Sequence, residues 1–337
     1  MGAAAKNQIT EVDLMLVLLT GVAGFIGRKV AELLLAEGHR VVGVDNLNDA
    51  YDPRLKQHRL DDLLGRENFD FARVDIVDRD ALDRICSGYR PFDAVINLAA
   101  RAGVRPSVED PWVYVDTNIT GTLNLLELCR WTGCDKFVLA STSSLYGAGN
   151  PQPFTEDQDT SRPLSPYAAS KKGAEALCYT YHYLHDIDVT VFRYFTVYGP
   201  AGRPDMSLFR FCRWIAEGEP VEIFGDGHQS RDFTYVDDIA RGTILGLKRM
   251  GYEIVNLGSD RPRELLDVVR LIEKETGNKA ELAFAPEAKA DVRATWANVE
   301  KARELLGWQP EVTLEEGVRR LVAWYMEHRE LAKGLVL

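Results

Sequence analysis

The sequence predicts an α/β fold, a doubly wound parallel sheet with a smaller C-terminal lobe, on three observations. An apolar run at residues 14–19 feeds a glycine turn that opens a helical pattern. Apolar runs then alternate with helical stretches as far as Tyr194, the pattern of a parallel sheet covered on both faces. Beyond Tyr194 the alternation gives way to an irregular loop and a mixture of helices and short strands.

Residues 14–19 are too few to span a bilayer and lack a basic leader or small-residue cleavage site. They read as a buried first strand, with residues 1–13 as a loose tail. Thr20-Gly21-Val22-Ala23-Gly24-Phe25-Ile26-Gly27 follows, then a helix to about Glu37. Strand, glycine turn and helix together form a dinucleotide cradle. Gly21 allows the tight turn, Gly24 admits a pyrophosphate to the helix N-terminus, and Gly27 allows close helix–strand packing. The spacing is G-x-x-G-x-x-G, not the commoner G-x-G-x-x-G. The next strand, 40–44, ends in Asp45, near the ~20-residue distance at which an acid grips the adenosine ribose. A carboxylate there repels a 2′-phosphate, which favours NAD over NADP.

Further strands are expected at 69–74, ending in Asp75, and at 93–98, 136–140 and 189–194. Helices lie near 55–64, 78–88, 112–131 and 167–185. Ligands on such sheets sit at the carboxyl ends of strands, so Asp75, Ala99, Thr142 and Tyr194 should converge on one crevice. Asn118, within a helical pattern, reads as a structural residue binding backbone. The first domain is taken as 14–198. Residues 199–330 form most of a substrate lobe interleaved with it, with helices near 206–217, 237–249, 264–276, 299–306 and 314–328. Strands are expected there at 221–224, 231–236 and 254–257, and Asp237 and Asp238 read as a helix N-cap.

The chain of 337 residues is 46% hydrophobic and 27% charged, with a net charge of −11 and a pI near 5.2. An acidic protein gains nothing from a phosphate backbone, so nucleic acid is not an expected partner. Anionic ligands must instead be met by placed arginines. Cys86, Cys129, Cys134, Cys178 and Cys212 form no C-x-x-C pair, which points to reduced thiols in a cytoplasmic protein without a metal site.

The chemistry-bearing stretch opens Ser141-Thr142-Ser143-Ser144 and closes Tyr167-Ala168-Ala169-Ser170-Lys171. One helical turn separates Tyr167 from Lys171, which puts both on one face. An ammonium about 4 Å away favours a phenolate by roughly 4 kcal/mol at an effective dielectric of about 20. That is enough to bring a phenol from ~10 toward neutrality and let it act as a general base.

With these residues in place, the chain resembles the extended short-chain dehydrogenase/reductases over residues 14–330. More narrowly it is similar to nucleotide-sugar 4-epimerases acting on UDP-glucuronate. The narrow resemblance rests on Ala99-Ala100-Arg101-Ala102-Gly103-Val104-Arg105, on the run from Arg193 to Met206, and on Ser230-Arg231-Asp232-Phe233-Thr234-Tyr235-Val236-Asp237-Asp238. Asn97 and Arg101 depart from the histidine and glutamine usual in relatives.

The resemblance implies NAD as cofactor, a UDP-sugar as partner, and a homodimer through the helices near 112–131 and 167–185. It implies that Tyr167 takes the proton of the sugar 4-hydroxyl, that Lys171 holds the nicotinamide ribose and lowers the tyrosine pKa, and that Thr142 binds the reacting oxygen. Phe25, Ile26, Asn46, Ile76, Leu98, Ala100 and Tyr194 would join the glycines, Asp45 and Asp75 around the cofactor. Val104 and Arg105 would border the substrate, with Arg231 and Arg293 on its diphosphate. Ser143, Ser144, Thr196 and Arg203 would hold a sugar carboxylate. Three rival readings stand beside this one. They are a UDP-glucuronate decarboxylase, an epimerase of neutral UDP-sugars, and a non-catalytic NAD-binding regulator on the same fold.

Overall fold

The computed structural model describes residues 14–89, 91–287 and 292–336; the expected tail, 1–13, lies outside them. The chain begins with β1 (Leu16–Thr20), every residue of which is buried. The glycine turn leads to α1 (Phe25–Ala36), which buries Gly27, Val30, Ala31 and Leu34, the one-face spacing of an amphipathic helix. Then come β2 (Arg40–Asp45), α2 (Pro53–Asp61), β3 (Phe69–Arg73), α3 (Arg79–Cys86) and β4 (Ala94–Asn97). Two short helices follow, α4 (Val104–Glu109) and α5 (Trp112–Val115), with a π-helical turn over Asp116–Thr120 and then α6 (Gly121–Thr132). The helix expected over 112–131 therefore runs through, with one widened turn around Asn118. β5 (Lys136–Thr142), α7 (Pro166–His185) and β6 (Asp188–Tyr194) complete the first half. Pro166 opens α7, and the Ser165 side chain caps it by accepting from the Ala168 amide at 3.2 Å.

The remaining elements are β7 (Thr196–Tyr198), α8 (Ser207–Glu217), β8 (Val221–Phe224), β9 (Ser230–Arg231) and β10 (Phe233–Tyr235), then α9 (Val236–Leu245) and β11 (Tyr252–Leu257). They continue with β12 (Arg263–Glu264), α10 (Leu265–Thr276), β13 (Leu282–Ala285), α11 (Glu300–Leu306), α12 (Leu314–Glu327) and α13 (Arg329–Lys333).

Seven strands form one sheet in the order β11-β6-β5-β4-β1-β2-β3, every pair parallel. Alternate residues of β1 feed opposite cores: Val17 and Leu19 pack with α1 and α9 residues, Leu16 and Leu18 with α3, α6 and α7 residues. A third core, holding Phe209, Ile215, Val268 and Tyr325, belongs to the C-terminal half. The strand order reverses between β1 and β4, which opens a crevice at their carboxyl ends.

Two expectations are corrected here. The strand expected in the second lobe at 254–257 is β11, an edge of the main sheet, with Ile254 level with Val191. An apolar strand carries no mark of the sheet it joins, and α9 returns with it to pack on α1. Asp237 and Asp238 do not cap α9. Tyr235 stands at the N-cap position. Asp238 Oδ2 instead accepts from the Glu311 and Val312 amides, each at 3.0 Å. Among the described residues no helix is long and apolar enough to cross a membrane.

Candidate active site

The glycine turn is shaped by what cannot fit in it. A β-carbon at Gly27 would lie 2.0 Å from the Gly21 carbonyl oxygen, and Gly21 itself has φ +70°. A β-carbon at Gly24 would stand 2.8 Å from the same oxygen. Only glycines leave this backbone open, and an open helix N-terminus suits a pyrophosphate. Asp45, at the end of β2, accepts from the Ala23 amide at 3.1 Å and the Leu47 amide at 2.8 Å. Its carboxylate is thereby fixed against the turn. Next to it Asn46 donates to Asp75 at 2.8 Å. These residues fit a dinucleotide with a free adenosine ribose.

Behind the turn runs a buried polar chain. Thr20 donates to Asn97 (2.8 Å), Asn97 to Thr122 (3.1 Å) and Thr122 to the Asn118 carbonyl (2.7 Å). Asn118 then takes both backbone groups of Arg101, each at 2.9 Å, and donates to Ser170 at 2.8 Å. Asn97 is therefore a structural link between β1 and α6, and Asn118 ties the strand-end loop to α7.

Thr142 ends β5, and the strand stops in a tight turn over Ser143–Tyr146, where the Thr142 side chain accepts from the Ser144 amide. The Thr142 and Ser144 hydroxyls meet at 3.2 Å. Tyr167 and Lys171 face the same cleft from α7. The Tyr167 ring packs edge-on against Tyr114, centroids 6.1 Å apart. Burial pushes the Tyr167 phenol above its ordinary value; the Thr142 hydroxyl and the Arg203 cation pull it back down. The Lys171 side chain is turned toward β5. Its ammonium donates to the Ala140 carbonyl at 2.9 Å, and burial lowers its own pKa to about 8.

One cleft is lined by Gly21, Gly24, Phe25, Ile26, Gly27, Asp45, Asn46, Asp75, Ile76, Leu98, Ala99 and Ala100. Its walls continue with Val104, Thr142, Ser143, Ser144, Tyr167, Lys171, Tyr194, Thr196 and Arg203. The Tyr194 hydroxyl is paired with Thr243 at 2.7 Å, so that residue offers its ring rather than its oxygen. Arg203 grips Asp205 through Nε (3.0 Å) and Nη2 (2.6 Å), and Nη2 also reaches the Ala102 carbonyl at 3.3 Å. Three expected residues do not line this cleft. Arg105 stacks over the Phe224 ring at 3.8 Å. Arg231 donates to the Ser230 and Arg293 carbonyls, and Arg293 pairs with Glu287 at 3.3 Å.

Residues 17–258 match the NAD dependent epimerase/dehydratase family. The chain belongs to that family. It is 58% identical over 319 residues to UDP-glucuronate 4-epimerase of Thermodesulfobacterium geofontis, covering 94% of this chain and 98% of the relative. The UDP-glucuronic acid 4-epimerase of Bacillus cereus, solved with UDP-glucuronic acid and NAD, superposes with TM-score 0.88 at 38% identity, covering 93% of this chain and 99% of that one. The UDP-glucose 4-epimerase of Thermotoga maritima, solved with UDP-glucose, gives 0.87 at 35% identity, covering 94% and 100%.

The cleft of this family member also holds residues that the sequence reading missed. Asn48, Tyr51 and Lys56 line it between Asp45 and Arg203. The Tyr51 ring faces three cations, Lys56 at 4.9 Å, Arg59 at 5.3 Å and Arg203 at 5.9 Å. The signal available was the cluster Asn46, Asn48, Tyr51, Lys56 directly after β2, which local periodicity does not flag.

Proposed function

We propose that this chain is an NAD-dependent UDP-glucuronate 4-epimerase, converting UDP-glucuronate to UDP-galacturonate through a 4-keto sugar. The observation that carries the reading is the meeting of Thr142, Tyr167 and Arg203 on one cleft wall in a chain so similar to the Thermodesulfobacterium enzyme. The glycine turn would hold the cofactor diphosphate, Asp45 the adenosine ribose and Lys171 the nicotinamide ribose. When bound, NAD supplies the acceptor that takes hydride from sugar C4 and returns it to the opposite face.

Tyr167 takes the 4-hydroxyl proton as the C4–H bond is broken and gives it back when the carbonyl is reduced. Thr142 holds the reacting oxygen in line with the phenol. Its hydroxyl and the Arg203 charge both favour the phenolate against burial. Ser143, Ser144, Thr196 and Arg203 hold the sugar carboxylate, which keeps the breaking C–C bond of a β-keto acid away from the perpendicular geometry that releases carbon dioxide. Val104 borders the sugar nucleotide; Arg105, Arg231 and Arg293, engaged with Phe224, backbone carbonyls and Glu287 in this structure, would have to turn inward to meet its diphosphate. A second copy of this chain is the expected partner across α5, α6 and α7, where Trp112, Tyr179, Tyr183 and Leu184 are exposed. The five buried free thiols fit a cytoplasmic enzyme.

One observation favours a second reading, epimerisation of a neutral UDP-sugar. Asp205 already takes the Arg203 guanidinium at both Nε and Nη2. The deciding experiment is kcat/KM for Arg203→Ala on UDP-glucuronate and UDP-glucose. The carboxylate reading expects a loss of about ten- to a hundredfold on the acid alone. Equal losses on both sugars would support the neutral-sugar reading.

A further inference from the structure

Lys56 is a buried cation of the cleft with no carboxylate paired to it among the described residues. It stands on α2 at 5% exposure and lines the same cleft as Asp45 and the glycine turn. An ammonium carries three donors. The Asn48 side-chain oxygen, Oδ1, takes one at 2.6 Å, and the Tyr51 ring lies 4.9 Å away. Among the described residues no acidic oxygen forms an ion pair with it. Burying an unpaired ammonium is costly, so such a group is expected to have a ligand.

The surroundings are short of negative charge. Arg59, one turn along α2, is fully buried and spends its donors on the Ala23, Ala201 and Gly202 carbonyls and the Tyr51 hydroxyl. It pins the glycine turn to the loop before Arg203 without neutralising either. Arg203 is already balanced by Asp205. Asp45 is the acid that acts on Lys56, and it is engaged by two backbone amides.

We propose that Lys56 is a ligand of a nucleotide diphosphate, that of the cofactor. This rests on the NAD reading above, but concerns binding rather than turnover. A diphosphate brings two negative charges into a region holding Lys56 and Arg59 against one carboxylate. The position beside Asp45 and the glycine turn assigns it to the adenosine side of the ligand. Burial lowers the ammonium to about 8, with Asp45 opposing and Arg59, Arg101 and Arg203 adding to the effect. Without a ligand, the charge is therefore partly lost in mild alkali.

The test is calorimetric titration of nucleotide-free wild type, Lys56→Met and Lys56→Arg with ADP, adenosine and UDP. Lys56→Met should bind ADP about ten- to a hundredfold more weakly, with adenosine and UDP unchanged and Lys56→Arg restoring part of the loss. ADP affinity of the wild type should fall as pH rises through 8, and that of Lys56→Met should stay flat. Unchanged ADP binding in Lys56→Met would overturn the proposal. So would equal losses for ADP and adenosine, which would make Lys56 a structural residue, or a loss confined to UDP, which would assign it to the sugar nucleotide. None of these outcomes depends on epimerase activity.

Discussion

Glu175 and Arg193 form a two-pronged ion pair between α7 and β6, Oε1 to Nε at 3.0 Å and Oε2 to Nη2 at 2.9 Å, both side chains almost wholly buried. Tyr167, Lys171 and Glu175 recur every turn along α7, so the pair anchors the face that carries the tyrosine and the lysine. Ser141 donates to the same carboxylate at 2.6 Å, and Arg193 reaches the Tyr146 hydroxyl at 3.1 Å. One carboxylate thus fixes β5, β6 and α7 relative to one another.

Removing one partner of a buried pair leaves the other charge uncompensated. Glu175→Gln should therefore cost about 3–5 kcal/mol of stability, measured by urea denaturation. A loss below about 1 kcal/mol would mean that the pair contributes nothing to holding the helix.

Tyr167→Phe should keep the fold and NAD binding and lose activity by at least about a hundredfold, the scale of a general base. The check is kcat alongside cofactor content. Turnover near that of the wild type would remove the phenol from the mechanism.

Asp45 is held by the Ala23 and Leu47 amides at the point where the adenosine ribose is expected. NADP should bind far more weakly than NAD, and Asp45→Asn should narrow the gap. Titration of both nucleotides decides it, and equal affinities in the wild type would place the ribose elsewhere.

How much of this was legible depended on whether the signal was local. The glycine turn, Asp45, and the Tyr167–Lys171 spacing sit in short contiguous patterns, and the structure brings all of them to one cleft. Lys56 was not legible, because it reaches the cleft only once α2 packs beside the glycine turn. β11 was recognised as a strand but given to the wrong lobe, since pairing across a long crossover leaves no trace in periodicity. The Arg203–Asp205 pair could have been seen two residues apart in sequence. The turning of the Lys171 ammonium toward Ala140 could not.

Glu217 gives a prediction in pH. Arg329, with Lys333 and Tyr325, holds its carboxyl down at about 2 against an ordinary 4.5, despite burial. A depressed carboxylate contributes stability that is present above 4.5 and lost as pH falls through the folded-state value. Wild type should therefore lose about 2 kcal/mol more than Glu217→Gln between pH 4.5 and 2. Parallel pH–stability curves for the two proteins would contradict it.

The most direct test is to incubate the purified protein with UDP-glucuronate and identify the products by NMR, with UDP-glucose in a parallel reaction. The account predicts UDP-galacturonate as the product, little UDP-pentose, and slow or absent conversion of UDP-glucose. UDP-pentose as the main product, or faster conversion of UDP-glucose than of the acid, would contradict it.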